Sequence, residues 1–357
     1  MRERMTDISS SLSAEEIITW LRQTDEHKLE SLWAAADAVR RQYVGDAVHL
    51  RGLIEISNYC VRRCAYCGLS AENRQLVRYR MNADEIFSCA EEAAAYGYGT
   101  VVMQAGEDYG IEADWLAGII KRIKSHLPLA VTLSLGERSR EELQQWREAG
   151  ADRYLLRFET SDRDLYNRIH PPLGPQSKNR FDILRQLKAL GYETGSGVMI
   201  GIPGQTYHTL AKDIELFRQL DLDMIGVGPY IPHPHTPLGR GEMDIRIDPN
   251  EQVPNTEQMT YKVIALSRLV CPQANIPSTT ALATVNRDSG RELGLMRGAN
   301  IVMPNVTPAA YRINYEIYPG KACVNETAQQ CQGCLKARIA AIGRTVGRGP
   351  GSRRRCL

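Results

Sequence analysis

A complete (β/α)8 barrel, eight parallel strands each followed by a helix, is the fold class this sequence predicts. Three observations carry it. Short apolar runs alternate with amphipathic segments eight times over about 250 residues, the pattern of a closed α/β barrel. Gly97, Gly150 and Gly191 each follow a helix-like segment, where a left-handed C-cap residue belongs. The chain has 357 residues, 43% of them hydrophobic, enough to bury one large barrel core, or the cores of two ordinary domains.

Taken in order, Ser13 to Glu16 has capping-box spacing and opens an amphipathic segment with apolar Ile17, Ile18 and Leu21. A second helix is predicted over about residues 29–43. Together they form an expected N-terminal helical cap, residues 1–48, before a barrel domain at 49–305. The predicted strands are 50–57, 100–104, 130–135, 153–157, 193–200, 224–228, 276–280 and 300–303. The predicted helices include 83–96, 112–126, 140–149, 178–190, 207–220 and 255–269. A C-terminal extension at 306–342 carries a second group of cysteines. Residues 343–357 are rich in Gly and Arg and read as a disordered tail.

The net charge of +2 gives no global field that would argue for nucleic acid or a membrane surface. No apolar run approaches the length of a membrane span. Of nine cysteines, three lie at 60–67 and three at 323–334, while Cys89, Cys271 and Cys356 are scattered. Clustered cysteines without an export signal read as metal or cluster ligands, which places the chain in a reducing cytoplasm. A cluster sensitive to oxygen further implies anaerobic conditions.

Cys60, Cys64 and Cys67 follow the first predicted strand at spacings of four and three residues. A closed zinc site wants four ligands. A four-iron cluster on three thiols leaves one iron open to a small chelating molecule. A zinc knuckle or a disulfide pair is the competing reading. The C-terminal ends of barrel strands carry the active site, and each offers candidates. Gln104-Ala-Gly-Glu107 follows the second strand; a plain turn explains it equally. Thr132 and Ser134 put hydroxyls on one face of the third. Arg157 and Glu159 share a face of the fourth, as ligand contacts or a structural ion pair. Arg180 opens the next helix, and alone would be an ordinary surface residue. Residues 197–206 are rich in Gly and would let backbone approach a flat ligand, or form a tight turn. His233 and His235 read as a polar rim rather than a metal site, with no third ligand nearby. Ser278, Thr279 and Thr280 suggest a polar-substrate site or a helix N-cap.

The Cys-x3-Cys-x2-Cys run, with Tyr66 before the last cysteine, resembles the signature of the radical S-adenosylmethionine (SAM) enzymes. The match is closer to one family of them. Residues 51–57, Cys67-Gly-Leu, Tyr79-Arg-Met81, Gln104 to Asp108, Thr132 to Glu137 and 150–157 together resemble the HydE family of [FeFe]-hydrogenase maturases. So do Gly204-Gln-Thr206, Pro277-Ser-Thr-Thr280 and Tyr315 with Tyr318-Pro-Gly-Lys321. The resemblance covers about residues 49–340.

The resemblance implies a [4Fe–4S] cluster on Cys60, Cys64 and Cys67, with SAM on the open iron and reductive cleavage to a 5′-deoxyadenosyl radical. It implies SAM contacts from Glu159, Arg180, Tyr315, Met303, Thr132 and Gln104, with Arg157 and Glu159 at the reacting centre. Arg157, Thr279, Thr280 and Tyr318 would line the substrate cavity. The implied substrate is an organometallic iron complex of cysteine, carbon monoxide and cyanide, donated by another maturase; the implied reductant is an external electron donor. Cys323, Cys331 and Cys334 have the spacing of a second, peripheral cluster, with zinc or no metal as the competing reading. Phe158 stands where the family carries His, and is expected to face the helices. Alternatives are a 3-methylornithine or biotin synthase relative, with a small amino-acid-like substrate, and a non-catalytic iron–sulfur carrier.

Overall fold

A computed structural model describes residues 12–174, 179–324 and 326–353. Helices α1 (Ala14–Arg22) and α2 (Glu26–Val44) lead into β1 (Ala47–Ser57). Then come α3 (Ala83–Ala95), β2 (Thr100–Ala105), α4 (Ala113–His126), β3 (Ala130–Ser134), α5 (Arg140–Glu148) and β4 (Arg153–Leu155). Next are α6 (Arg163–Ile169), α7 (Arg180–Ala189), β5 (Glu193–Ser196), β6 (Met199–Ile200), α8 (Tyr207–Gln219), β7 (Met224–Ile225) and β8 (Gly228–Pro229). The chain ends through α9 (Glu257–Val270), α10 (Thr280–Val285), α11 (Gly290–Met296), β9 (Ile301–Val302), α12 (Ala309–Arg312), α13 (Ala328–Ala341) and β10 (Thr345–Val346). Capping residues start the helices where the sequence placed them: Ser13, Asn82 and Ser139 each form a full capping box. Helices α1 and α2 pack on the outer helices α8 and α9.

The strands run parallel in the order β10-β1-β2-β3-β4-β5-β7, with β9 also paired to β1. A barrel closed by continuous ladders, expected from the eightfold alternation, does not form. The stretch predicted as the seventh strand makes single bridges instead, Asn275 to Met224 and Pro277 to Ile301. Pro277 has no N–H with which to extend a ladder, and Thr279 already caps α10. The hydrogen-bonded sheet is therefore a curved parallel sheet, incomplete between β7 and β9. The fifth and sixth predicted strands are each split in two. A Cβ on Gly197 would lie 1.8 Å from the Gly226 carbonyl oxygen, so the two backbones touch where the ladder breaks. Beyond the break β6 pairs with β8. Phe158 packs outward on Phe181 of α7 and Phe217 of α8 at ring separations of 5.1 and 5.9 Å, facing the helices as expected although β4 ends before it.

The tail after Gly343, expected to be disordered, is ordered as far as it is described. Thr345 and Val346 pair with Ala47 and Val48 at the start of β1. The following segment then crosses the floor of the sheet. The Pro350 carbonyl accepts from Thr100 and Arg153, each at 3.0 Å. The Gly351 carbonyl accepts from Arg51 at 3.2 Å and Asn275 at 2.9 Å. Both arginines are buried, and backbone carbonyls are their compensation. A low-complexity composition concealed this, because glycine carbonyls are as good acceptors as any others. Cys356 and its neighbours at 354–357 lie outside the described residues.

Two stability tests follow from this packing. Truncation after Gly347 removes those acceptors and should cost about 3 kcal/mol, seen as a lower Tm of the metal-free protein; an unchanged Tm would contradict the floor contacts. Asp213 on α8 is fully buried: Oδ1 accepts from the Ser161 N–H at 2.6 Å, and Oδ2 has no hydrogen-bond partner. Burial pushes its carboxyl up to about 7. The unfolded chain, with its carboxyl near the ordinary value of about 3.9, releases the proton first as pH rises. Asp213 therefore weakens the fold progressively between about pH 4 and pH 7. Asp213→Asn should gain little at about pH 4 and on the order of 4 kcal/mol at about pH 8. Urea denaturation at both pH values checks this, and a gain independent of pH would refute it.

Candidate active site

Beyond Ser57 at the end of β1, the chain folds across the C-terminal end of the sheet without forming any regular element until α3. Specific hydrogen bonds hold it. Val61 N donates to Glu107 O at 2.9 Å, Ala65 N to Ile169 O at 2.8 Å and Gly68 N to Ile317 O at 3.0 Å. Arg78 donates to the carbonyls of Asn58, Leu69, Ser70 and Asn73. These contacts tie the loop to itself, to the turn after β2, to the end of α6 and to the segment after α12, so its buried backbone groups are paired without a regular element.

Cys60, Cys64 and Cys67 all line one cavity of about 340 Å³. So do Gln104, Thr132, Arg157, Glu159, Arg180, Thr279, Thr280, Met303, Tyr315 and Tyr318. Residues from eight stretches of sequence thus meet in one chamber. Burial pushes all three thiols up, Cys67 to about 12, so ligation has to displace protons.

Behind the cysteines runs a chain of buried charges. Arg62 donates to Glu107 at 2.7 Å and lies 2.6 Å from Glu137. Arg180 donates to Glu137 at 2.9 Å, to the Arg157 carbonyl, and to His170 Nε2 at 3.0 Å. Glu107 also accepts from the Glu137 N–H and the Tyr109 hydroxyl. His170 Nδ1 lies 3.0 Å from Cys64 Sγ and 3.3 Å from the Tyr66 hydroxyl. Burial, with Arg180 and Arg62 nearby, pulls the His170 imidazolium down to about 2, so the ring is neutral.

Several predicted residues behave differently from their sequence reading. Arg157 and Glu159 do face the same way, 3.0 Å apart, but not by strand alternation. β4 stops at Leu155, and Glu159 reaches the cavity with φ of 62°, the left-handed region that non-glycine residues avoid. Arg180 is a member of the charge chain before it is a ligand clamp, with two N–H groups left uncommitted. His233 is buried, its Nδ1 accepting from the His235 N–H, so only His235 belongs to a rim. The second cysteine group lies outside the chamber. Cys323, at φ 61°, is lowered to about 6 by its hydrogen bond to Cys331 and by Arg291; Cys334 is exposed. His170, Arg62 and the Lys321–Glu55 pair were missed. His170 sits in an unremarkable Ile-His-Pro sequence after α6, and nothing local marks it.

The chamber fits a cluster with an amino-acid-like cofactor. Three sulfurs enter it from one loop, and no fourth cysteine among the described residues lines it. Thr132 Oγ1 and Arg157 Nε are buried without a hydrogen-bond partner, and Arg157 Nη2 and Glu159 Oε2 face each other as an ion pair at 3.0 Å. Such orphans cost about 1–3 kcal/mol each unless something else satisfies them. The charge chain makes its own prediction. Glu137→Ala leaves Arg62 and Arg180 undercompensated in the interior and should destabilise the metal-free protein by about 3–5 kcal/mol. A shift in urea midpoint worth less than about 1 kcal/mol would show the chain to be dispensable.

Comparison with known proteins agrees with this geometry. The Radical SAM superfamily model matches residues 54–217. The chain is 46% identical over 326 residues to the [FeFe] hydrogenase maturase subunit HydE of Thermotoga maritima, covering 91% of this chain and 89% of that one. It is 30% identical over 293 residues to the 3-methylornithine synthase of Methanosarcina acetivorans, covering 82% and 79%. The crystal structure of methylornithine synthase (PylB) superposes with a TM-score of 0.78 at 25% identity, over 95% of each chain. Three cavity-facing cysteines, unsatisfied polar atoms beside them and this degree of identity lead to one assignment: the chain belongs to the HydE family of [FeFe]-hydrogenase maturases, within the radical SAM superfamily.

Proposed function

We propose that this chain acts in assembly of the di-iron subcluster of [FeFe] hydrogenase, on an organometallic iron complex of cysteine, carbon monoxide and cyanide donated by another maturase. As a radical SAM enzyme it uses a [4Fe–4S] cluster and SAM, which together supply a 5′-deoxyadenosyl radical. The observation that carries the reading is the shared chamber: three sulfurs, the unpartnered Thr132 hydroxyl, the Arg157–Glu159 pair and the hydroxyls of Thr279, Thr280 and Tyr318 all belong to its lining.

In this reading Cys60, Cys64 and Cys67 hold the cluster. Glu159 and Arg180 orient the charged groups of SAM, Tyr315, Gln104 and Thr132 take its polar edges, and Met303 covers its adenosine. Arg157 and Glu159 stand at the reacting centre, and Arg157 with Thr279, Thr280 and Tyr318 holds the substrate anion. Sulfur donation of the biotin synthase kind is disfavoured, because neither Cys89 nor Cys271 lines the chamber. Cys323, Cys331 and Cys334 would form a peripheral second iron–sulfur site. No described helix is long and apolar enough to cross a membrane, and free clustered thiols suit a reducing cytoplasm with an external electron donor.

Anaerobic reconstitution followed by EPR, with and without SAM, is the test. The reduced-cluster signal should change on adding SAM, and 5′-deoxyadenosine should accumulate with reductant. Cys64→Ser should abolish both, and Glu159→Ala should weaken SAM binding about ten- to a hundredfold. A signal indifferent to SAM, or bound zinc in place of iron, would sink the reading.

A further inference from the structure

We infer that His170 is a positioning residue for the cluster: its Nδ1–H donates a hydrogen bond to the sulfur of Cys64 and so sets the cluster's reduction potential. This rests on the reading of Cys64 as a cluster ligand.

The tautomer follows from the partners. His170 Nε2 lies 3.0 Å from Nη2 of Arg180. A guanidinium has donors and no acceptor, so Nε2 must present its lone pair. A neutral imidazole then carries its single proton on Nδ1. Nδ1 is 3.0 Å from Cys64 Sγ, nearer than the Tyr66 hydroxyl at 3.3 Å.

The arrangement is held rigidly. The ring is 3% exposed and stacks on Tyr166 at 4.9 Å. Its backbone neighbour Ile169 accepts from the Ala65 N–H at 2.8 Å, fixing α6 to the residue after Cys64. Arg180 is oriented in turn by Glu137 at 2.9 Å. The order carboxylate, guanidinium, imidazole, sulfur aligns each dipole with the next, which strengthens the final N–H donor.

An N–H donor at a ligand sulfur stabilises added negative charge there. Hydrogen bonds to cluster sulfurs are one of the levers that set these potentials. The reduced form gains more than the oxidised form, so His170 raises the midpoint. It also makes Cys64 unlike Cys60 and Cys67, for which no side-chain donor is found among the described residues.

The test is an EPR-monitored redox titration of the reconstituted protein without SAM. His170→Phe keeps an aromatic ring against Tyr166 and removes the donor; its midpoint should move to a more negative potential than wild type. His170→Asn returns an amide N–H near the Nδ1 position and should restore most of the shift. If the phenylalanine variant does not incorporate iron, His170→Gln serves instead, because its amide lies near Nε2 and leaves Sγ without its donor. An unchanged midpoint in His170→Phe, or in His170→Gln where that variant is used, with iron content and signal shape intact overturns the inference while the cluster assignment stands. Absence of any reduced-cluster signal in the wild type removes both together.

Discussion

The position of the cysteine loop depends on one buried chain of opposite charges. Arg62 lies between Cys60 and Cys64, and it is paired with Glu107 after β2 and Glu137 after β3. Arg180 at the start of α7 closes the chain from the other side. The loop has no helix or strand of its own to fix it. Charges buried this deeply repay their desolvation only when geometry and hydrogen bonds are both good. The arrangement therefore has little tolerance for displacement, which is what a loop that must aim three sulfurs requires. Stability is traded for a defined geometry at the mouth, and the apolar layer between sheet and helices supplies the difference.

The sheet itself bends its own rules where the chamber opens. β4 ends early, Glu159 takes a left-handed conformation, and β5 and β7 both break at glycines that press backbone to backbone. Between β7 and β9 the wall is a stretch with one bridge on each side. A uniform barrel would point every second side chain inward and fill the interior. Each interruption here removes a filler or redirects a polar group, and the result is a space rather than a packed core. Backbone strain at Glu159 is of the kind that survives only when neighbours over-determine it.

The floor of this space is closed by the chain's own end. Arg51 and Arg153 are buried in the sheet, and the carbonyls of Gly351 and Pro350 meet them. Glycine is suited to that task because nothing but backbone can approach so closely: a Cβ on Gly99 would fall 1.8 Å from Gly349 O. Among the described residues the tail contributes no side chain to the chamber, yet it gives a buried cation there its acceptor.

The sequence alone determined the spacing of the cysteines, the alternation of strands and helices from β1 to α9 apart from α6 and the breaks that separate β5 from β6 and β7 from β8, and the starts of α1, α3 and α5. It also determined that Arg157, Arg180, Thr279 and Tyr318 belong near one another, through the family resemblance. These are local properties: apolar periodicity, capping chemistry and thiol spacing act over a few residues, so they can be read without knowing where the chain goes. Only the tertiary structure decided that His170 reaches Cys64 across 106 positions, that the 276–280 run is a bridge and not a strand, and that the last residues form a floor. A hydrogen bond or an ion pair between distant positions carries no periodic signature. It exists only because folding brings one donor to one acceptor, and no composition or spacing announces which.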